Sequence, residues 1–272
     1  MTNGPRFVDV PGGRLWWEAA GSGSGVVLIH AGVSDSRMWD PQWEALAARH
    51  RAVRYDTRGY GRTETEHVPF STRADVIAAM DAAGLARATL VGGSRGGSIA
   101  LDTTLESPDR VSGVVWVCGG VGGLNAEPTP EERAIYDRGD LLYEARDWRG
   151  LADLDVAVWV DGVGQPAGRA PEAARELVGR TIYETYAQEK EEGEPIVLDP
   201  PAAGRLEEIG VPVLVIAGAL DTSGTAAGAD ALMASVRDAR RIDLPDVAHV
   251  PSLEKPEWFT GTLLEFLGTI GR

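Results

Sequence analysis

The sequence predicts an α/β fold: a mostly parallel, eight-stranded sheet with helices on both faces and an inserted helical cap. Short apolar, β-branched runs alternate with helical patterns along most of the chain, which is typical of parallel sheets covered on both faces. Two strand-like runs flank Pro11-Gly12-Gly13 and favour an antiparallel hairpin at the sheet edge. Within residues 124–203, apolar residues recur at helical spacing with no clear strand. This break in the alternation predicts the cap.

The elements of the sheet layer follow from the same patterns. Strands are predicted at residues 6–10, 14–19, 26–29, 52–55, 88–91, 111–118, 211–217 and 241–244. Helices are predicted at residues 41–49, 71–83, 226–236 and 256–268, and another helical pattern begins at residue 98. Pro41 in a first turn and Ser71 as an N-cap mark two of the helix starts.

These elements divide the chain into a core and an insertion. Residues 1–123 and 204–272 form the predicted core. The cap, residues 124–203, follows the sixth strand and holds predicted helices over residues 131–146 and 171–191. Because every predicted strand lies outside the insertion, we expect the cap to cover the sheet edge without extending the sheet.

One stretch carries a pattern that is typical of nucleophilic catalysis. Residues 91–101 read VGGSRGGSIAL and fit G-x-S-x-G between a predicted strand and a predicted helix. This indicates a nucleophile elbow, a sharp turn that lifts the Ser94 hydroxyl above the sheet edge. The flanking glycines keep Cβ atoms out of a crowded backbone, and the helix directs its free N–H groups at the same place. The alternative is a glycine-rich turn without chemistry, so the decision depends on partners elsewhere.

Asp221 and His249 are the candidate partners of Ser94. Each follows a predicted strand at its carboxyl end, where open α/β sheets place their sites. An imidazole must take the serine proton during attack, and a carboxylate must hold that imidazole in the right tautomer. Taken alone, Asp221 could cap the next helix and His249 could be a loop histidine; Asp246 is the nearest alternative carboxylate. The order Ser, Asp, His and the shared strand-end placement favour a catalytic triad.

Composition excludes several function classes. The formal net charge is −15, with 41 acidic and 26 basic residues, which argues against nucleic acid or an anionic membrane as partner. No signal-peptide pattern and no apolar run of about 20 residues, the length that spans a bilayer, is present. The single cysteine, Cys118, lies in an apolar run and indicates a buried thiol in a reducing compartment. We therefore expect a cytoplasmic protein of undetermined oligomeric state.

The motifs of metal and nucleotide sites are missing from the sequence. The glycine-rich residues 21–25 precede a strand instead of following one, and Val26 stands where a dinucleotide loop has its third glycine. There is no H-E-x-x-H, no C-x-x-C pair and no P-loop. We expect no metal and no cofactor.

The chain resembles the α/β-hydrolase superfamily over nearly its whole length. The likeness is to the small cap-bearing esterases, lactonases and non-haem haloperoxidase-like members, including 3-oxoadipate enol-lactonase. Serine at the nucleophile position argues against haloalkane dehalogenases and epoxide hydrolases, which carry aspartate there. The matching segments are LIHAGVSDSRMWD at 28–40, YDTRGYGRT at 55–63, VGGSRGG at 91–97, LVIAGALD at 214–221 and AHVPSLEKP at 248–256.

The resemblance implies an oxyanion hole formed by the backbone N–H groups of Gly32 and Arg95. Gly32 is the second residue after His30, where the family's HG-x motif supplies a donor. Ala31 replaces the usual glycine of that motif, and His30 itself favours a structural hydrogen bond. The loop at residues 56–59 matches a structural loop of the family and is assigned no chemistry.

The sequence therefore predicts a serine hydrolase that acts on a small-molecule ester or lactone through an acyl-enzyme. A ligand receptor that retains the triad and signals through its cap is an alternative from another class. A C–C hydrolase, a perhydrolase or a peptidase of the same fold also remains open, because the cap shapes the substrate pocket. Arg95, Val33 and Trp159 are candidate substrate contacts.

The side chain of Arg95 leaves the first turn of the elbow helix, and a buried guanidinium is costly unless it is paired. Two interpretations follow. Arg95 pairs with a structural acid, for which Asp35 is the first candidate, or it faces the pocket and binds a carboxylate of the substrate.

Overall fold

The computed structural model describes residues 3–191 and 193–270. Its strands are β1 (Asn3–Val10), β2 (Gly13–Ala20), β3 (Gly25–Ile29), β4 (Arg51–Tyr55), β5 (Glu64–Thr65), β6 (Pro69–Phe70), β7 (Ala88–Gly93), β8 (Val111–Val117), β9 (Glu194–Pro195), β10 (Val213–Gly218) and β11 (Ala239–Leu244). Its helices are α1 (Asp40–Ala47), α2 (Thr72–Ala82), α3 (Arg95–Glu106), α4 (Pro130–Glu144), α5 (Trp148–Asp155), α6 (Glu172–Gln188), α7 (Ser223–Ser235), α8 (Pro251–Glu254) and α9 (Pro256–Leu267). A π-helical segment, Val156–Asp161, continues α5. No described helix is long and apolar enough to cross a membrane.

The predicted sheet is confirmed. Eight strands follow one another in the order β1-β2-β4-β3-β7-β8-β10-β11, and the short β5 adds a ninth by pairing with β2. The pairs from β4 to β11 are parallel, whereas β1 and β2 are antiparallel at one edge. The carboxyl ends of the parallel strands therefore meet at one edge, where the loops after β3, β7, β10 and β11 converge.

Helices cover both faces of the sheet, because neighbouring residues of a strand point to opposite faces. In β3, Val27 and Ile29 lie in one buried cluster with side chains of α2, α3 and α7. Val26 and Leu28 lie in the other cluster, with side chains of α1 and α9. A strand buried on both faces reads as a continuous apolar run, which is why the sequence pattern predicted it.

The segment between β8 and β10 consists mainly of α4, α5, the π-helical segment and α6. Thr129 and Glu132 form a capping box at the start of α4, and Glu132 also accepts hydrogen bonds from Ser223 at the start of α7. Val160 and Val178 are buried in the same cluster as α1 and α9. The helices of this segment are therefore packed directly onto the sheet layer.

The segment also contains one strand that the sequence did not predict. The two-residue β9 pairs with β6 in a separate parallel sheet. A strand of two residues is too short to show an alternating hydrophobic pattern, so β5, β6 and β9 could not be predicted from the sequence.

Candidate active site

Ser94 lies in a strained turn between β7 and α3. Its φ is +52°, in the left-handed region that non-glycine residues rarely adopt. A Cβ atom on Gly92 would lie 2.1 Å from the carbonyl oxygen of Gly96, and one on Gly96 would lie 2.3 Å from that of Ile29. Glycine is therefore required at both flanking positions, because the backbone at the start of α3 passes so close to β7 and β3. The Ser94 side chain remains partly exposed at the turn.

Asp221 and His249 meet at the carboxyl ends of β10 and β11. His249 Nδ1 lies 2.7 Å from Asp221 Oδ2, and both side chains are buried. The other carboxylate oxygen of Asp221 accepts the backbone N–H of Thr222 at 2.7 Å. Asp246, the alternative carboxylate, is exposed and forms an ion pair with Lys255 at 2.6 Å. In the described part of the chain, Asp221 is thus the carboxylate bonded to the His249 ring.

Ser94 and His249 line the same cavity, which has a volume of about 310 Å³. Trp159 and Thr222 contribute further side chains, and residues 118–121 form part of the wall. Cys118 is buried, and burial raises the pKa of its thiol well above its usual range. It therefore stays protonated and is a poor nucleophile beside Ser94.

Trp159 connects the π-helical segment to His249. The two ring centroids are 4.6 Å apart, and the backbone N–H of His249 donates to the carbonyl oxygen of Trp159 at 3.2 Å. The indole N–H donates to Asp155 Oδ1 at 3.1 Å. Trp159 was a candidate substrate contact because it falls in the cap, but sequence alone gave no sign of its contact with the histidine.

The backbone N–H groups of Gly32 and Arg95 remain available for a ligand. Arg95 is the first residue of α3, whose N-terminal N–H groups have no partner within the helix. Gly32 lies in the loop after β3, and a Cβ atom there would meet the Tyr60 hydroxyl at 3.4 Å. Among the described residues, neither N–H donates a hydrogen bond. Arg95 directly follows Ser94, and Gly32 follows the end of β3, the strand that pairs with β7.

His30 supports the loop that carries Gly32. Its Nε2 accepts the backbone N–H of Thr57 at 2.9 Å, so Nδ1 carries the proton and donates to the carbonyl oxygen of Ala31 at 2.8 Å. Burial lowers the pKa of His30 and favours this neutral form. His30 thus ties the loop after β3 to the loop after β4, in agreement with the structural hydrogen bond expected for it.

The predicted pairing of Arg95 with Asp35 is wrong. Asp35 instead forms an ion pair with Arg37 at 2.7 Å, because Asp35 begins a short helical turn that places Arg37 directly beside it. The guanidinium of Arg95 lies over the Tyr60 ring, 5.0 Å from its centroid. No carboxylate lies within 4.0 Å of this guanidinium in the part of the chain that the structure describes. Sequence analysis assigned no role to Tyr60, which contacts both Arg95 and the loop of Gly32.

Val33 is placed differently from the other candidate substrate contacts. It is half-buried and packs against the buried cluster that contains α1 and α9. It is not among the described residues that line the cavity with Ser94. Its contact with a substrate stays a prediction.

Within the described residues, no group of three or more His, Cys, Asp and Glu side chains is arranged to hold a metal ion.

Replacing Arg95 by methionine is expected to lower the free energy of unfolding by about 0.5–1 kcal/mol, the typical strength of a cation–π contact at a partly exposed site. The backbone N–H at position 95 is kept. We therefore expect kcat/KM to change by the same small factor for a neutral p-nitrophenyl ester and for a matched half-ester with a free carboxylate. Denaturant titration and parallel kinetics measure both effects. A rise in KM confined to the acidic substrate would show that Arg95 binds a carboxylate.

Comparison with known proteins shows which family has this architecture. The family model described as "Alpha/beta hydrolase family" matches residues 26–262. The chain is 39% identical over 121 residues to the "Putative carbamate hydrolase RutD" of Caulobacter vibrioides, an alignment that covers 43% of this chain and 43% of that protein. The resemblance that the sequence motifs indicated is confirmed.

Two longer alignments extend the likeness over most of the chain. The "3-oxoadipate enol-lactonase 1" of Acinetobacter baylyi is 25% identical over 90% of this chain and 89% of its own length. The solved structure of the enol-lactonase from Burkholderia xenovorans LB400 superposes with a TM-score of 0.76 at 26% identity, covering 97% of this chain and 100% of that one.

Proposed function

Because the chain belongs to the alpha/beta hydrolase family, we propose that it is a serine hydrolase that cleaves a carboxylic ester or lactone through an acyl-enzyme. Ser94, His249 and Asp221 are its proposed triad. The observation that carries the proposal is the 2.7 Å contact between His249 and Asp221 at a cavity that Ser94 also lines. Relatives named as enol-lactonases favour this substrate class. The cytoplasm is the proposed location, since the free thiol of Cys118 suits a reducing compartment.

In the first proposed step, the Ser94 hydroxyl attacks the carbonyl carbon of the substrate while His249 Nε2 takes its proton. Asp221 accepts the Nδ1–H bond, which leaves Nε2 free to act as a base and stabilises the imidazolium that forms. The carbonyl oxygen becomes an oxyanion, to which the backbone N–H groups of Gly32 and Arg95 donate. Removing one such donor typically costs a factor on the order of 10²–10³ in kcat.

In the second step, His249 returns the proton to the leaving alkoxide oxygen and the acyl group stays on Ser94. For a lactone, the leaving oxygen remains tethered to the acyl chain, so water must attack before the ring closes again. His249 then takes a proton from that water, and the second tetrahedral intermediate releases the acid and restores the Ser94 hydroxyl.

We propose that residues 124–203 act as a cap over this cavity and that residues 1–123 and 204–272 form the catalytic core. Leu124, Ala126 and Trp159 all contribute to the cavity wall. Because the contacts of Trp159 include the His249 ring, the proposed cap closes the site on the side of the catalytic base. Substrate selection would then depend on side chains of the cap more than on those of the sheet.

The test is a time course of product release from p-nitrophenyl acetate, an aliphatic lactone and an aryl N-methylcarbamate. Linear release well beyond one equivalent per Ser94 supports the hydrolase. A single slow burst of one equivalent would favour the receptor that retains its triad. Absence of any release or acylation, with the protein folded, would contradict the proposal. A C–C hydrolase or a perhydrolase would be identified in separate assays with a β-diketone or with hydrogen peroxide, because those reactions need these substrates.

A further inference from the structure

A second cavity, of about 380 Å³, lies among the helices of the proposed cap. Its wall contains four aromatic side chains, four aliphatic side chains and two carboxylates. Among the described residues that line it, there is no lysine, arginine or histidine. The cavity therefore combines an aromatic and aliphatic surface with negative charge alone.

Asp155 is the more buried of the two carboxylates in this wall. Burial raises the pKa of Asp155, and the hydrogen bonds from Tyr186 and Trp159 offset only part of this rise. Tyr186 Oη donates to Asp155 Oδ2 at 2.6 Å, and Trp159 Nε1 donates to Oδ1 at 3.1 Å. The two donors fix the orientation of the carboxylate and favour its anionic form against the effect of burial. In the described part of the chain, no basic side chain forms an ion pair with it.

A desolvated carboxylate without a cation is an expensive feature of a fold. Glu132 is buried and held by hydrogen bonds alone, but most buried carboxylates of the described residues have a cation beside them, as Asp75 has Arg58 and Glu254 has Arg169. Asp155 differs from them because it faces a cavity instead of a guanidinium. A cation bound in that cavity would supply the missing positive charge.

The cavity also borders the catalytic site. Trp159 lines both cavities and contacts the His249 ring. Tyr136 lines the cap cavity, and its hydroxyl is close enough to interact with Thr222 and Asp221. Since Thr222 lines the catalytic cavity, the two cavities are neighbours that share Trp159 as a wall.

The wall chemistry limits what that end can be. A primary ammonium needs several hydrogen-bond acceptors, whereas a methylated ammonium needs only negative charge and aromatic surface. The two oxygens of Asp155 already accept one hydrogen bond each, and the remaining wall is largely aromatic and aliphatic. The formal net charge of −15 further raises the local concentration of cations.

We propose that the cap cavity binds an alkylated ammonium group and that this group forms one end of the ester that the enzyme cleaves. The substrate part of this inference rests on the proposed hydrolase function, whereas the binding part does not. Asp155 is then a specificity-determining residue. Trp159 lies between the bound cation and the catalytic histidine.

Calorimetric titration of the wild-type protein tests the binding part without any turnover. The ligands are choline, its neutral isostere 3,3-dimethylbutan-1-ol and the anion 3,3-dimethylbutanoate. We expect choline to bind at least tenfold more tightly than the neutral alcohol. Equal affinities, or tighter binding of the anion, would overturn the proposal.

Two variants locate the binding site. Asp155→Asn keeps the shape of the carboxylate and removes its charge, so we expect at least a tenfold loss of choline affinity. Asp153→Asn removes the same charge from an exposed position of α5 and is expected to leave choline affinity within twofold. Equal losses in both variants would show only long-range attraction and would contradict the site. If Asp155→Asn does not fold, the ligand comparison on the wild-type protein still decides.

Kinetics test the substrate part. We expect kcat/KM for butyrylcholine to exceed that for 3,3-dimethylbutyl butyrate at least tenfold, and Asp155→Asn to remove that preference with little change for the neutral ester. If choline binds but the two esters react equally, the cavity does not select the substrate and that part is wrong. If choline binds and no ester is cleaved, the hydrolase proposal fails while the cation site stands.

Discussion

Replacing Ser94 or His249 by alanine is expected to lower kcat by a factor on the order of 10⁴–10⁶, the range seen when a triad nucleophile or base is removed. Ser94→Ala leaves no oxygen to form the acyl-enzyme. His249→Ala leaves the hydroxyl without a base, although its attack geometry is kept. Initial rates on p-nitrophenyl acetate, with circular dichroism to check folding, measure both effects.

Non-additivity is the sharper part of this prediction. The double variant is expected to be no slower than either single variant within about threefold, because the two residues act in one step. Ser98→Ala is the matched control: it changes the same atom one turn further along α3 and is expected to keep near wild-type rates. If the losses in the double variant multiplied, Ser94 and His249 would act independently, and the triad would be wrong.

Much of this site could be predicted because its residues follow strand ends. β7 and β10 are buried, so each is a continuous apolar run that sequence patterns locate well, whereas β11 lies at the sheet edge and is mostly half-buried or exposed. Residues just after the ends of parallel strands meet at one sheet edge, whatever the length or conformation of the loops between the strands. That is how Asp221 and His249, 28 residues apart, could be placed together from the sequence.

The parts that failed depend on side-chain direction and on packing between distant segments. Nothing in the order of residues shows that Asp35 turns back to Arg37 or that Arg95 lies over Tyr60. Trp159, which contacts His249, lies in the π-helical segment. The extra residue in a turn of such a segment cannot be recognised from the hydrophobic periodicity of the sequence. The contacts of Arg95 and Trp159 join segments that are far apart in sequence, and that of Asp35 depends on the direction of a side chain, so local patterns do not encode them.

Replacing Asp221 by asparagine is expected to lower kcat by about 10⁴, the loss seen when the triad aspartate is amidated elsewhere. The amide keeps the shape of the carboxylate. Its NH₂ group, however, can donate to His249 Nδ1 and so favour the tautomer whose proton sits on Nε2. A protonated Nε2 cannot accept the Ser94 proton, and the imidazolium also loses its neighbouring negative charge. The fall in kcat should therefore exceed any change in KM.

Asp246→Asn is the control that separates the effect of the His249 tautomer from a general effect of losing one negative charge. It removes the same charge three residues from His249, but Asp246 is bonded to Lys255 at the surface and is expected to leave kcat within about twofold. NMR of the ring nitrogens gives a second readout, since Asp221→Asn should move the proton from Nδ1 towards Nε2. If Asp221→Asn kept wild-type activity, the 2.7 Å bond to His249 would be structural only. The orienting acid would then have to come from another residue.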